Sequence, residues 1–279
     1  MKSKRIIIYI GAILICVVMF FPFIWGFILS FKNNTTIYNE PLGLPAKLDF
    51  ALYIDTFLKS NMGNLFKNSL IVTTITTLGC LFINLPSSFA IARLHHRHEG
   101  FGNFFYYVFL LGAAVPLFII LYPVYTIALT LKPLGIGTNS IYGLPFPYIA
   151  GSIPFNTLVF VGAMKGVPLE LEEAGIIDGC GVLRIFITIV VPLIAPIIAT
   201  LIIFNFLWAW NEWTLASILL SSIKNFTIPL AASFFKQQYG QDLAAMMRAV
   251  IMMLIPQIIF YFFFQRQIVE GMATTGLKA

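Results

Sequence analysis

The chain has 279 residues, 59% of them hydrophobic and only 10% charged, with a formal net charge of +6 and a mean hydropathy of +0.91. A soluble domain of this size needs a far more polar surface, which excludes a soluble enzyme. The basic residues are scattered among the polar connections, as at membrane edges, and form no patch for nucleic acid.

The apolar residues come in long runs, and about 18 or more in a row read as a membrane span. Backbone groups in lipid must be paired internally, and these runs are too long for barrel strands. The expected fold is an all-α membrane protein with six transmembrane helices in a single domain over 1–279. The spans fall at about 6–31, 64–92, 104–131, 143–164, 186–219 and 244–266.

The first run follows Lys2, Lys4 and Arg5. It is too long for a signal-peptide core and lacks a small-residue cleavage site, so it reads as a retained span. A polar stretch, 32–63, follows with Pro41, Gly43 and Pro45, and carries a short helix around Tyr53–Leu58. RLHHRHEG (93–100) separates spans two and three, and LKPLGIGTNS (131–140) separates three and four. A short amphipathic helix is expected between spans five and six. Cys16, Cys80 and Cys180 suggest neither a metal site nor a disulfide framework. His95, His96 and His98 crowd together with Arg97, but three imidazoles so close cannot all turn to one side of a helix. They read as a basic loop and not as a metal site.

Basic residues favour the cytoplasmic side. With the N-terminus inside, nine fall on inner segments and eight on outer ones. The triple-basic start and five of the six arginines favour that orientation.

Between spans four and five lies PLELEEAGIIDGCGVLR (168–184). It holds Glu170, Glu172, Glu173 and Asp178, four of the eleven acidic residues of the chain. Pro168 suits the first turn of a helix, and the glutamates then sit where the helix dipole favours acids. Leu169, Leu171, Ala174, Ile176 and Ile177 supply apolar surface. Asp178-Gly179 signals a turn, and a helix restarts over Val182–Val191 with Arg184 near its start. A wet loop explains the acids but not the interleaved leucines and isoleucines. A short amphipathic helix on a turn suits docking into a groove of a partner.

The segment Glu173-Ala174-Gly175-Ile176-Ile177-Asp178-Gly179, followed by Ile189-Val190-Val191-Pro192, resembles the "EAA" loop of permeases of binding-protein-dependent ABC importers. It departs from that pattern at Gly175 and Cys180, where the family carries alanine, and both residues remain small. NSLIVTT (68–74), SSFAIARL (87–94), NSIYGL (139–144), IPFNTLVF (153–160), FLWAWNEW (206–213), TIPLAA (227–232) and QRQIVEGM (265–272) are similar to the carbohydrate group of the family, and within it to the smaller maltose-type subunit. The tail TTGLKA matches only loosely.

The resemblance implies a type I ABC importer permease fold with both termini cytoplasmic, in a bacterial or archaeal cytoplasmic membrane. It implies a heterodimer with a second permease, two ATPase subunits and an extracytoplasmic solute-binding protein. Residues 165–185 become the coupling loop. Glu170, Leu171, Glu172, Glu173, Ala174, Gly175, Ile176, Asp178, Gly179 and Arg184 then carry contact with the ATPase, the acids meeting basic groups in its cleft. No G-x-x-x-x-G-K-[ST] phosphate cradle occurs. No cofactor is expected on this chain, and ATP and magnesium belong to the partner ATPase.

WAWNEW (208–213) lies toward the outer part of span five. Glu212 in or near lipid is costly, so it is expected to face the bundle interior or water. Asn205, Trp208, Asn211 and Glu212 are candidates for the path or its gate, with interfacial anchoring the competing role for the tryptophans. Two other functions compete with this one. An ion-gradient-driven transporter usually needs internal repeats and ionisable groups near the midplane, for which Glu212 is the one candidate carboxylate. A membrane scaffold leaves the acidic segment unexplained.

Overall fold

The structure is a computed structural model. It describes the backbone of residues 2–97, 99–238 and 242–276, and the side chains of 8–93, 100–233, 235 and 242–265. Among the described residues every regular element is helical. In chain order these are α1 (Lys2–Ser30), α2 (Asn34–Asn39), α3 (Ala51–Lys59), α4 (Met62–Arg97), α5 (Glu99–Leu111), α6 (Leu117–Leu131), α7 (Pro145–Lys165), α8 (Leu169–Ile177), α9 (Val182–Ile185), α10 (Val191–Leu193), α11 (Ala195–Asn211), α12 (Thr214–Leu219), α13 (Ala231–Gln238) and α14 (Leu243–Gly276). Among the described residues five stretches are long and apolar enough to cross a membrane: Ile8–Ser30, Met62–Arg93, Leu117–Leu134, Ile141–Lys165 and Leu243–Gln265. A sixth arises if Val182–Leu193 and Ala195–Asn211, which meet at 79°, count as one broken span.

Three stretches differ from their sequence expectation. The apolar run 104–131 is not one helix. Pro116 has no N–H to give and pushes Val115 out of the helical region, to φ −84° and ψ 114°, so α5 stops at Leu111 and α6 starts afresh at Leu117. The run 186–219 is broken more heavily. A π-helical turn, Phe186–Val190, follows α9, so the helix expected over Val182–Val191 is regular only to Ile185. Pro192 and Pro196, one turn apart, each lack the N–H for a rung of the ladder, the axis bends around Ile194, and α11 ends at Asn211. The third is RLHHRHEG, expected as a loop, which stays helical through Arg97 and again from Glu99. His98 and the side chains of His95 and His96 lie outside the described residues, as do the side chains of the C-terminal tail.

The chain divides into two compact units: Met1–Leu65 with Ile228–Gln257, and Phe66–Thr227 with Ile258–Ala279. In the first unit the large apolar side chains of α1 from Ile8 to Ile24 stay more than half exposed, so this stretch has almost no cover among the described residues. Packing begins at its C-terminal end. The Arg248 guanidinium, on α14, donates to the Ser30 carbonyl at 3.0 Å and to Thr56 Oγ1 at 2.6 Å. Ser30 Oγ and the Tyr53 hydroxyl are 2.6 Å apart. Phe31 packs edge-on to Phe50 at 5.1 Å and tilted on Tyr53 at 5.4 Å. A cation thus closes the C-terminus of α1 where free carbonyls gather.

In the second unit α7 is the central helix. Tyr148, Ser152, Asn156, Phe160, Val161 and Met164 are buried along it at helical spacing. α4 brings Phe89 and Ala92, and Val190, Ile194 and Leu201 come from the broken span. Gly79 on α4 has no room for a Cβ against Ile149, which is how small residues let membrane helices close up. The connection 132–140 is pinned by Asn139, in the left-handed region at φ 58°. Its Oδ1 accepts from the Ser222 N–H at 2.8 Å and the Ser221 N–H at 3.3 Å, and its own N–H reaches the Leu219 carbonyl at 2.7 Å. Replacing Asn139 by Ala removes three contacts to its Oδ1, the third a long one from the Asn225 amide at 3.4 Å, and adds left-handed strain. The expected cost is about 2 kcal/mol, seen as a lowered thermal midpoint in detergent, with Asn139→Gly losing less.

Candidate functional site

The segment 168–184 folds as a helical elbow at the foot of the second unit. Pro168 is extended, at φ −57° and ψ 131°, and stands just before α8 instead of in its first turn. Glu170 and Glu172 occupy that turn, where the helix dipole favours acids. The helix ends as Asp178-Gly179 promised. Gly179 takes φ 79°, its N–H bonds the Ile176 carbonyl at 2.9 Å, and the Cys180 N–H bonds the Gly175 carbonyl at 2.8 Å. This paired closure satisfies carbonyls the helix leaves open, and glycine adopts the left-handed residue at least cost.

One face of α8 is buried at Glu172 and Gly175. A Cβ on Gly175 would stand 2.9 Å from Ile189 Cδ1 and 3.4 Å from Ile185 Cγ1, so the glycine seats the elbow tightly on the start of the broken span. The opposite face is open. Glu170, Leu171, Glu173, Ala174, Ile176 and Asp178 are exposed, and so is Arg184. Ile177, Val182 and Leu183 are exposed by 86%, 71% and 70%. Ile177 belongs to the apolar surface named from the sequence, and Val182 and Leu183 extend that ridge past the turn.

Glu172 parts company with the other acids. It points inward and takes Arg93, at the foot of α4. The Arg93 Nε–H lies 2.8 Å from Glu172 Oε1 and 3.0 Å from Oε2, and a terminal N–H also donates to Oε1. The same guanidinium donates to the Met164 carbonyl, near the end of α7, at 3.0 Å. The side chains are only 14% and 11% exposed. Glu172 is therefore not free to meet a base on another protein, because its carboxylate is already spent. Arg93 was not singled out from the sequence as a site residue. The signal was present, since Arg93, near the end of SSFAIARL, is the first charge after a long uncharged run.

The second candidate group lies along α7 and α11. Asn156 and Asn205 exchange amide hydrogen bonds at 3.1 and 3.2 Å, and Asn205 also donates to the Leu201 carbonyl at 2.8 Å. A small cleft of about 230 Å³ lined by Ser152, Phe155, Phe204, Asn205 and Trp208 opens beside them. Trp208 is half exposed and stands edge-on to Tyr148 at 5.4 Å. Asn211 is exposed, and its amide donates to the Leu207 carbonyl at 2.8 Å. Glu212 is buried, as the cost of charge in lipid requires, and its carboxylate is fully engaged. It accepts from the Tyr148 hydroxyl at 2.6 Å and from the Leu215 and Ala216 N–H groups at 2.8 and 3.1 Å. Those two N–H groups are the open donors of α12, so Glu212 caps that helix. Among the described residues no group of His, Cys, Asp and Glu could hold a metal ion.

Residues 84–274 match the family described as "Binding-protein-dependent transport system inner membrane component". The chain belongs to this family. It is a multi-pass membrane permease, and the elbow lies inside the matched region. A putative ABC transporter permease protein of Caldicellulosiruptor sp. is 31% identical over 92% of this chain and 91% of its own length. The trehalose/maltose transport system permease protein MalG of Thermococcus litoralis is 28% identical over 99% of this chain and 97% of its own. The multiple sugar-binding transport system permease protein MsmG of Streptococcus mutans is 29% identical over 99% and 96%. Among solved structures, a chain of a bacterial ABC transporter involved in the import of the acidic polysaccharide alginate superposes with a TM-score of 0.73, at 21% identity, over 95% of this chain and 98% of that one. The type I importer permease fold expected from the sequence is the fold observed.

For this permease the Arg93–Glu172 pair makes a direct prediction. Glu172→Ala strands a largely buried guanidinium and should cost about 3–5 kcal/mol. Arg93→Met with Glu172→Leu removes both charges and should cost clearly less than the sum of the single changes. Thermal unfolding of the four proteins of the cycle in one detergent measures the coupling, and strict additivity would count against the pair.

Proposed function

We propose that this chain forms one half of the translocation path of an ATP-driven importer for a sugar or oligosaccharide. The carbohydrate class rests on relatives named for trehalose/maltose, multiple sugars and diacetylchitobiose. A second permease completes the path, two separate ATPase subunits supply energy, and an extracytoplasmic binding protein delivers the solute. The chain itself catalyses no reaction and binds no cofactor. ATP and magnesium act in the ATPase. The N- and C-termini and the elbow face the cytoplasm of a bacterial or archaeal cell.

The observation that carries this reading is the two-faced elbow. Glu172 and Gly175 hold it against the spans, while Leu171, Ala174, Ile176, Ile177, Val182 and Leu183 present an apolar ridge outward. Glu170, Glu173, Asp178 and Arg184 surround that ridge with charge. A small apolar helix ringed by charges suits a cleft on a soluble partner, the ridge supplying burial and the charges supplying orientation. ATP-driven closure of the paired ATPases then moves the elbow, and the span fused to it, as one piece. An ion-gradient mechanism has less to stand on. Glu212, its candidate carboxylate, is committed to three hydrogen bonds.

A single cysteine at Ala174, in a chain lacking Cys16, Cys80 and Cys180, should form a disulfide with a cysteine in the cleft of the cognate ATPase. The yield should change when ATP is added. Absence of any crosslink in a complex that still imports solute would refute the elbow as the coupling device.

A further inference from the structure

The first unit contains a pocket of about 470 Å³ between residues 31–52 and the start of α14. Three cations line it, and two of them are nearly buried: Lys32 is 3% exposed and Arg248 7%. The Lys32 ammonium makes one hydrogen bond, to the Glu40 carbonyl at 2.7 Å, although it has three donors. Arg248 spends two of its five donors, on Ser30 and Thr56. Neither forms an ion pair with a described residue.

The acids on the pocket wall are already engaged. Asp49 is held by Lys47 at 2.9 Å, and that contact keeps its carboxyl below the usual carboxylate range. Asp242 Oδ1 accepts the Ala245 N–H at 2.9 Å and its charge acts on Arg248 through space. Lys32, Lys47 and Arg248 against Asp49 and Asp242 leave one positive charge in surplus. A buried ammonium with a lone carbonyl partner is costly, and a carboxylate is the group that relieves the cost.

The rim indicates where that carboxylate comes from. Leu44 and Leu48, which flank the wall residues 45–47, are 73% and 60% exposed. Exposed leucines next in sequence to a charged socket suit burial against a second protein better than the binding of a free solute. In the orientation proposed above, residues 31–61 lie outside the cytoplasm, where the binding protein docks.

We propose that this pocket seats an aspartate or glutamate side chain of the solute-binding protein, with Lys32 and Arg248 as its partners. The inference rests on the importer reading of the previous subsection.

The test uses the complete transporter in nanodiscs with its own binding protein. ATP hydrolysis is followed as binding protein is titrated in, and the half-maximal concentration is read. Lys32→Gln should raise that concentration about tenfold, with the plateau reached at higher binding protein. Raising salt from about 50 to about 300 mM should raise it severalfold in the wild type and much less in the variant. A zero-length carbodiimide should join Lys32 to an acid of the binding protein, and peptide mass spectrometry would locate the amide.

An unchanged half-maximal concentration in a folded Lys32→Gln transporter overturns the proposal. Should the variant not fold, wild-type titrations indifferent to salt, with crosslinks at other lysines but none at Lys32, overturn it equally. Protection of Lys32 from acetylation by millimolar glucuronate, with no binding protein present, would assign the pocket to a solute and also overturn it. A wild-type transporter whose ATP hydrolysis ignores the binding protein would instead sink the importer reading itself.

Discussion

Arg93 and Glu172 have both left water, and neither can be released alone without leaving a charge buried. Replacing such a pair by apolar residues often costs little, whereas breaking it costs several kcal/mol. Its value is therefore positional. The guanidinium also holds the Met164 carbonyl, so one side chain at the foot of α4 fixes the end of α7 and the start of α8 together. The elbow is held from the other side by Gly175 against Ile185 and Ile189. An electrostatic clamp and a close packing contact thus orient the same short helix. That leaves its outer face free for a partner and its inner face rigid enough to transmit a push.

The same economy governs polar groups inside the spans. Asn156 and Asn205 satisfy one another, and Glu212 is absorbed by Tyr148 and by the open N–H groups of α12. Glu212 consequently works as a helix cap and not as a hanging charge. What remains accessible beside it is aromatic: Trp208, Phe155 and Phe204 around a small cleft. Aromatic faces there can meet the C–H faces of a sugar or the helices of a second permease, and both lie on the route proposed for this subunit.

Hydropathy made most of the architecture legible, because lipid imposes the same length and the same backbone pairing on every span. The elbow was legible too, since Asp178-Gly179 fixes its turn and the acids stand out against an apolar chain. The breaks within spans were not. Pro116 and Pro196 look like Pro123 or Pro154 in sequence, yet the first pair interrupts helices and the second pair lies inside them. Which one breaks depends on neighbours that periodicity does not encode. Nor could composition distinguish Glu172 from Glu173. One residue of helical phase, about 100°, turns the first toward Arg93 and the second toward solvent. Lys32 and Arg248 counted in the sequence only among the charges of the outer segments, because the wall that encloses them joins residues 31–52 to 242–248, far apart in the chain.

The most direct measurement of the clamp is the ratio of solute imported to ATP hydrolysed. Glu172→Gln keeps the shape of the side chain and removes its charge. A clamped elbow predicts that the variant hydrolyses ATP but imports far less solute for each ATP, since the elbow still docks but no longer moves the spans as one piece. A Glu172→Gln transporter with the wild-type ratio of solute to ATP would contradict the Arg93–Glu172 pair as the link between the ATPase and the path.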